Sequence, residues 1–166
     1  MRPDDGVAGP RQTLSRGCDS RGVAGKGLKV YIIQFMKGWP HYGEQRTAAH
    51  HPNITLKQFG RPDFVDKENP ALVDVRMAQE ALDHGQQMVM SQEYDLVILD
   101  EVNVALEWRL IELQDLLFLR DDKPEGVELI LTGRHACSAV IARADLVTEM
   151  RDIKHPIREA FSAERE

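Results

Sequence analysis

The sequence predicts an α/β fold, a mostly parallel open sheet flanked by helices. Three observations carry that prediction. Short apolar runs rich in β-branched residues alternate with segments of helical periodicity along most of the chain. Two of the runs, 28–35 and 94–99, are too continuously apolar to be strands wetted on one face, as in parallel sheets covered on both sides. Each of three runs ends in polar or glycine-containing residues, as expected where the carboxyl ends of parallel strands meet a ligand.

The elements follow in order. Residues 28–35 (LKVYIIQF) read as a buried strand, and Lys37–Gly38 turns the chain after it. Residues 54–59 (ITLKQF) alternate well enough for a second strand. Asn69 before Pro70 is a helix-start signal, and Leu72, Val75, Ala78, Leu82 and Val89 then share one helical face as far as about Met90. Gly85 weakens the later half of that helix. Residues 94–99 (YDLVIL) form the clearest strand. A helical region is expected from Asn103 towards Arg120, with Leu113, Leu116, Leu117 and Arg120 on one face. Residues 127–132 (VELILT) give a further strand and Gly133 its exit. A short helix over 136–144 and a last short strand around Leu146, Val147 and Met150 complete the pattern.

Composition bounds the rest. The 166 residues suit one domain, and 42% hydrophobic with 29% charged residues argues against disorder. A net charge of −6 disfavours a broad nucleic-acid surface but leaves room for a local phosphate pocket. Cys18 and Cys137 stand far apart, so free thiols and a cytoplasmic location are the expectation, with no membrane span and no secretory leader. Residues 1–27 differ from the remainder. They hold half of the twelve glycines and a charge of +2, leaving −8 for residues 28–166, and they read as a disordered or atypical segment. The domain is expected over 28–156, with a flexible tail over 157–166.

Three strand exits point to one pocket: Lys37–Gly38, Asp100–Glu101–Asn103 and Gly133–Arg134–His135. Asp100 and Glu101, after four apolar residues in YDLVILDE, suit Mg²⁺ beside a phosphate chain, because a small hard cation takes oxygen ligands. The competing reading makes one acid a helix cap and leaves the other solvated. Lys37 suits an anion, and Gly38 suits close backbone approach to one; a surface lysine at an ordinary turn accounts for the pair equally well. Arg134 suits a phosphate clamp or an ion pair. His41, His50 and His51 do not converge in the manner of a zinc site. Trp39 and Trp108 suit pocket walls or core.

From about Gly25 to Pro156 the sequence resembles the ATP:corrinoid adenosyltransferases. The segments that carry the resemblance are GKGLKVYIIQFMKG (25–38), YDLVILDEVNVAL (94–106), LILTGR (129–134) and ADLVTEMRDIKHP (144–156). The resemblance implies a P-loop NTPase-like fold and a homodimer. It also implies transfer of the 5′-deoxyadenosyl group of ATP to a Co(I) corrinoid, with Mg²⁺ on the departing triphosphate and a reductase supplying the electron. By this resemblance Glu101 makes the magnesium contact with Asp100 in support, and Asn103 shapes the nucleotide or corrinoid pocket. Lys37, Gly38, Gly133 and Arg134 line the nucleotide side, Glu149 contacts the nucleoside, and Lys154, His155 and Pro156 match a final basic turn.

Two departures stand beside it. The family's phosphate loop, of the form GxGKGKT, is replaced by Gly22-Val23-Ala24-Gly25-Lys26-Gly27, which lacks the spacing and the hydroxyl. This points to a degenerate N-terminus or to an altered reading frame upstream of Gly25. The family's glycine–phenylalanine–threonine–tryptophan run is replaced by FGRPDFVDKENP (59–70), where Phe59 and Phe64 are expected to supply part of the apolar surface for the corrinoid and the tryptophan is absent. A non-catalytic corrinoid- or nucleotide-binding homologue is the alternative reading, and a small nucleotide hydrolase or kinase the third.

Overall fold

The computed structural model describes residues 26–39 and 43–151. The expectations for residues 1–25, His41, Lys154, His155, Pro156 and the tail 157–166 lie outside them.

Four strands form one sheet: β1 (Val30–Phe35), β2 (Ile54–Phe59), β3 (Leu96–Asp100) and β4 (Glu128–Leu131). Their order is β2-β1-β3-β4, and all three pairings are parallel. Parallel neighbours require crossovers, and helices supply them. These are α1 (Gly43–Ala48), α2 (Leu72–Ser91), α3 (Val102–Glu107) and α4 (Leu113–Asp121), with α5 (Ser138–Arg143) after β4. The fold is of the P-loop NTPase-like α/β class.

Strand alternation divides the apolar side chains between two faces. Tyr31, Ile33, Phe35, Val97 and Leu99 enter the larger core with Ala78, Ala81, Leu82 and Val89 of α2. Val30, Ile54, Leu96 and Ile98 form a smaller cluster with Ala48 of α1 on the other face. Gly85 is a packing residue: a Cβ there would lie 2.9 Å from Leu99 Cδ2, so the glycine lets α2 sit close on β3.

Three expectations need correction. Helix α2 begins at Leu72 with Ala71 in extended conformation before it and no side-chain cap. Asn69 is taken up by a preceding turn, in which Asp66 Oδ1 accepts the backbone N–H groups of Glu68 (2.9 Å) and Asn69 (3.4 Å). The helical region 103–120 is two helices. Arg109 has φ 58°, and the break turns Leu110 and Ile111 into the core, where they are 0% and 3% exposed. Residues 146–150 form no strand; Leu146, Val147 and Met150 are exposed, and no described strand pairs with them.

Candidate functional site

The register of the sheet builds the site. Gln34 pairs with Gln58 on one side and with Asp100 on the other, so three polar residues stand in one row at the carboxyl ends of their strands. Side chains in such a row point to the same face and lie within reach of one another. Gln45 of α1 donates through Nε2 to Gln58 Oε1 (2.7 Å), Gln58 Nε2 donates to Gln34 Oε1 (2.9 Å), and Gln34 Nε2 donates to Asp100 Oδ2 (3.0 Å).

Asp100 collects further donors. Lys37 Nζ lies 3.2 Å from Oδ2, and the Thr132 hydroxyl donates to Oδ1 at 2.8 Å. Asp100 is 2% exposed, and a carboxylate buried this deeply needs such a set of partners to remain charged. The lysine keeps 21% of its side chain exposed, so its ammonium stands between the buried acid and solvent. Thr132 also accepts the Glu101 backbone N–H at 3.1 Å, joining the exits of β3 and β4.

Glu101 takes the left-handed conformation, φ 66°, at the start of α3. Such a backbone is uncommon for a side-chain-bearing residue and persists where neighbours over-determine it. Here the N–H is held by Thr132, and the carbonyl accepts from Val104 (3.1 Å) and Ala105 (3.0 Å). Met36 (φ 55°), Gly133 (φ 127°) and His135 (φ 58°) also have positive φ, and each follows β1 or β4. Left-handed residues thus mark three adjacent strand exits. Asn103, 4% exposed, donates its backbone N–H to the Thr132 carbonyl at 3.1 Å. Gly133 packs against that helix start, since a Cβ on it would meet Asn103 Cβ and Val104 N at 3.1 Å.

Lys37, Asp100, Glu101, Asn103 and Gly133 therefore meet through direct contacts or through Thr132, and Arg134 follows immediately in the chain. Glu101 does not cap its helix through its side chain, and Asp100 is not solvated. Gly38 also serves backbone packing. A Cβ on it would fall 2.5 Å from the Arg61 carbonyl carbon, and one on Gly60 would fall 2.5 Å from Lys37 N. The two glycines let the loops after β1 and β2 press together. The Trp39 indole N–H donates to the Pro62 carbonyl across the same contact.

Arg61 fixes the second loop to α2. Its Nε and Nη2 each lie 2.8 Å from an oxygen of Asp74, a residue 5% exposed. The hydrogen bonds from Arg61 hold the Asp74 carboxyl below the usual carboxylate range and raise the guanidinium in turn. Phe59 packs its ring beside His84 (centroids 5.5 Å apart), with Lys57 Nζ 4.8 Å from its centre. His84 Nε2 lies 2.8 Å from the Tyr31 hydroxyl. Burial, and then Lys57, push His84 below the ordinary histidine value. Phe64 is 95% exposed on the second loop and shares no ring contact with Phe59. Glu149 is exposed and pairs with Arg151 at 3.3 Å.

Gln34, Gln58, Gln45 and Thr132 are site residues that sequence reasoning passed over. A signal was present: a glutamine interrupts the buried run VYIIQF, where an amide needs a partner. For a cation, no group of three or more His, Cys, Asp or Glu converges among the described residues. Both Asp100 oxygens already accept hydrogen bonds, Oδ2 from Gln34 and Lys37 and Oδ1 from Thr132.

Comparison with known proteins gives a consistent result. The family model described as ATP:corrinoid adenosyltransferase BtuR/CobO/CobP matches residues 14–165, beginning upstream of Gly25. A corrinoid adenosyltransferase of Sinorhizobium sp is 32% identical over 141 residues, covering 84% of this chain and 66% of that protein. One from Pseudomonas aeruginosa is 30% identical, covering 85% of this chain and 70% of its own length, and one from Escherichia coli K12 is 28% identical, covering 87% and 72%. The matched part thus spans about two-thirds of the length of these curated relatives. With 152 of its residues inside the family match, the chain belongs to the ATP:corrinoid adenosyltransferase family.

Proposed function

We propose that this protein transfers the 5′-deoxyadenosyl group of ATP to a Co(I) corrinoid. The bond from cobalt to C5′ forms as the bond from C5′ to the triphosphate oxygen breaks. Cobalt supplies the electron pair and passes from Co(I) to Co(III), and triphosphate leaves with the pair from the broken bond. No proton moves, so Asp100 and Glu101 have no acid–base duty.

One observation carries the reading: Lys37, Asp100, Glu101 and the Thr132–Arg134 exit meet at the carboxyl edge of one parallel sheet, in a chain belonging to this family. Lys37 offers an ammonium to the triphosphate, and Asp100 orients it. Glu101 takes the magnesium contact, and the ion supplies charge neutralisation on the leaving group. Gly133 and Arg134 line the nucleotide side, with Asn103 shaping the pocket. Phe59 and Phe64 give the corrinoid an apolar surface, and Glu149 reaches the nucleoside. Alignment and electrostatic stabilisation are the protein's contribution. A homodimer, an electron-donor reductase and a cytoplasmic location complete the proposal. No described helix is long and apolar enough to cross a membrane.

The test supplies purified protein with Mg-ATP and cobalamin chemically reduced to Co(I). Adenosylcobalamin with stoichiometric triphosphate is the expected product. Corrinoid binding without product identifies a non-catalytic homologue, and ADP or free phosphate identifies a hydrolase or kinase.

A further inference from the structure

Two buried side-chain polar atoms among the described residues have no hydrogen-bond partner, Asn103 Oδ1 and Arg134 Nε. They belong to residues that follow two adjacent strands, β3 and β4. Asn103 stands in the first turn of α3 after β3, and Arg134 follows Gly133 beyond β4. The two exits are in contact, through the Asn103 N–H on the Thr132 carbonyl and through the absent Cβ of Gly133 against Asn103 Cβ.

The rest of this sheet edge makes the pair conspicuous. Gln58, Gln34, Asp100, Thr132 and Lys37 satisfy one another through a continuous set of hydrogen bonds. Folded proteins leave few buried polar atoms unpaired, and such exceptions call for an unplaced ligand, a water or a functional role. One of these atoms is an acceptor and the other a donor. A phosphate would satisfy the arginine and oppose the amide oxygen, so a plain anion does not complement both.

We propose that Asn103 and Arg134 receive a substrate edge on which an N–H donor stands beside a lone-pair acceptor. The donor meets Asn103 Oδ1 and the acceptor meets Arg134 Nε–H. An adenine edge has this chemistry, with its amino group beside a ring nitrogen, and so does a carboxamide on the rim of a corrinoid. The inference rests on the adenosyltransfer reading and adds which part of a substrate this corner recognises.

The experiment measures binding by calorimetry for the parent, Asn103→Leu and Arg134→Lys. The lysine substitution keeps the charge and removes Nε, and it provides a readout if the leucine variant folds poorly. Two ligand pairs are compared: ATP against ITP, whose 6-keto group replaces the amino donor, and cobinamide against cobyrinic acid, in which carboxylates replace the carboxamides. The corrinoids are used as Co(II), so no transfer occurs. The parent is expected to prefer the amino or amide member of one pair by about tenfold or more, and the substitutions to erase that preference. Loss confined to the nucleotide pair assigns the corner to the base, and loss confined to the corrinoid pair assigns it to the carboxamides. Preferences unchanged by both substitutions, or no preference in a parent that binds ATP and corrinoid, overturn the inference alone. A parent that binds neither ATP nor corrinoid overturns the adenosyltransfer reading and the inference with it.

Discussion

The Lys37 ammonium lies 3.2 Å from Asp100 Oδ2, with the acid's side chain 3% exposed and the lysine's 21%. The buried carboxylate therefore fixes where a partly exposed cation sits. Asp100→Asn removes the charge that holds Lys37 while preserving shape. We expect unfolding free energy to fall by about 1.5–3 kcal/mol, the range for hydrogen bonds to a charged group, and ATP affinity to fall about tenfold. Urea unfolding and nucleotide titration check the two effects separately. Unchanged ATP affinity would detach Lys37 positioning from nucleotide binding.

Glu101→Gln tests the metal assignment. The substitution keeps side-chain volume and leaves the Thr132 contact to the backbone N–H in place. ATP binding in the presence of Mg²⁺ is expected to weaken more than binding in its absence, with a small change in unfolding midpoint. Identical magnesium dependence in parent and variant would remove Glu101 from that role.

Gly38→Ala tests whether the first loop needs a bare backbone at this position. A methyl group there falls 2.5 Å from the Arg61 carbonyl carbon, backbone against backbone, so the two loops must separate. A loss of about 1–3 kcal/mol is expected, as in other overpacked sites, and Gly60→Ala should behave similarly. Midpoints within error of the parent in urea would show that the loops relax freely.

Asp74 and His84 give the fold a dependence on pH in two successive windows, both on the acid side. The Asp74 carboxyl is held low by Arg61, so its contribution is present above the unfolded value of about 3.9 and is lost as pH falls through the lower folded value. His84 is held low by burial. Between its folded value and the unfolded value of about 6.5 the unfolded chain binds more protons, so stability declines as pH drops below about 6.5 and levels off beneath the folded value. Urea midpoints from pH 8 to about pH 2 should show the His84 decline first. His84→Gln should flatten that first decline, and Asp74→Asn should flatten the more acidic one; a first decline that survives His84→Gln assigns it to other groups.

Strands β1 and β3 and their exits were legible in the sequence because burial on both faces leaves an unbroken apolar run, and YDLVILDE shows where burial stops. The partners of those exits were not. That Gln34 stands between Gln58 and Asp100 is a property of register, and register is set only when separate strands pair. The helix break at Arg109 was concealed because Leu110 and Ile111 fit helical periodicity as well as they fit a turn that buries them. The Asn69–Pro70 start signal was overridden when Asp66 captured the Asn69 amide in a local turn. Glu149 and Phe64 were placed by resemblance, and the contacts described here tie neither of them to the strand-end cluster.

The three glutamine amides all point their donors the same way, from Gln45 through Gln58 and Gln34 to the anion at Asp100. A row with that polarity has a preferred sense, because reversing Gln58 or Gln34 sets donor against donor on one side and acceptor against acceptor on the other. The negative charge at its end selects the sense, and each link polarises the next. Helix α1, two strands away from Asp100, is thereby informed of the acid's charge. Neutralising Asp100 should loosen Gln45 although the two never touch, and substitutions at Gln58 and Asp100 should be less than additive in their cost.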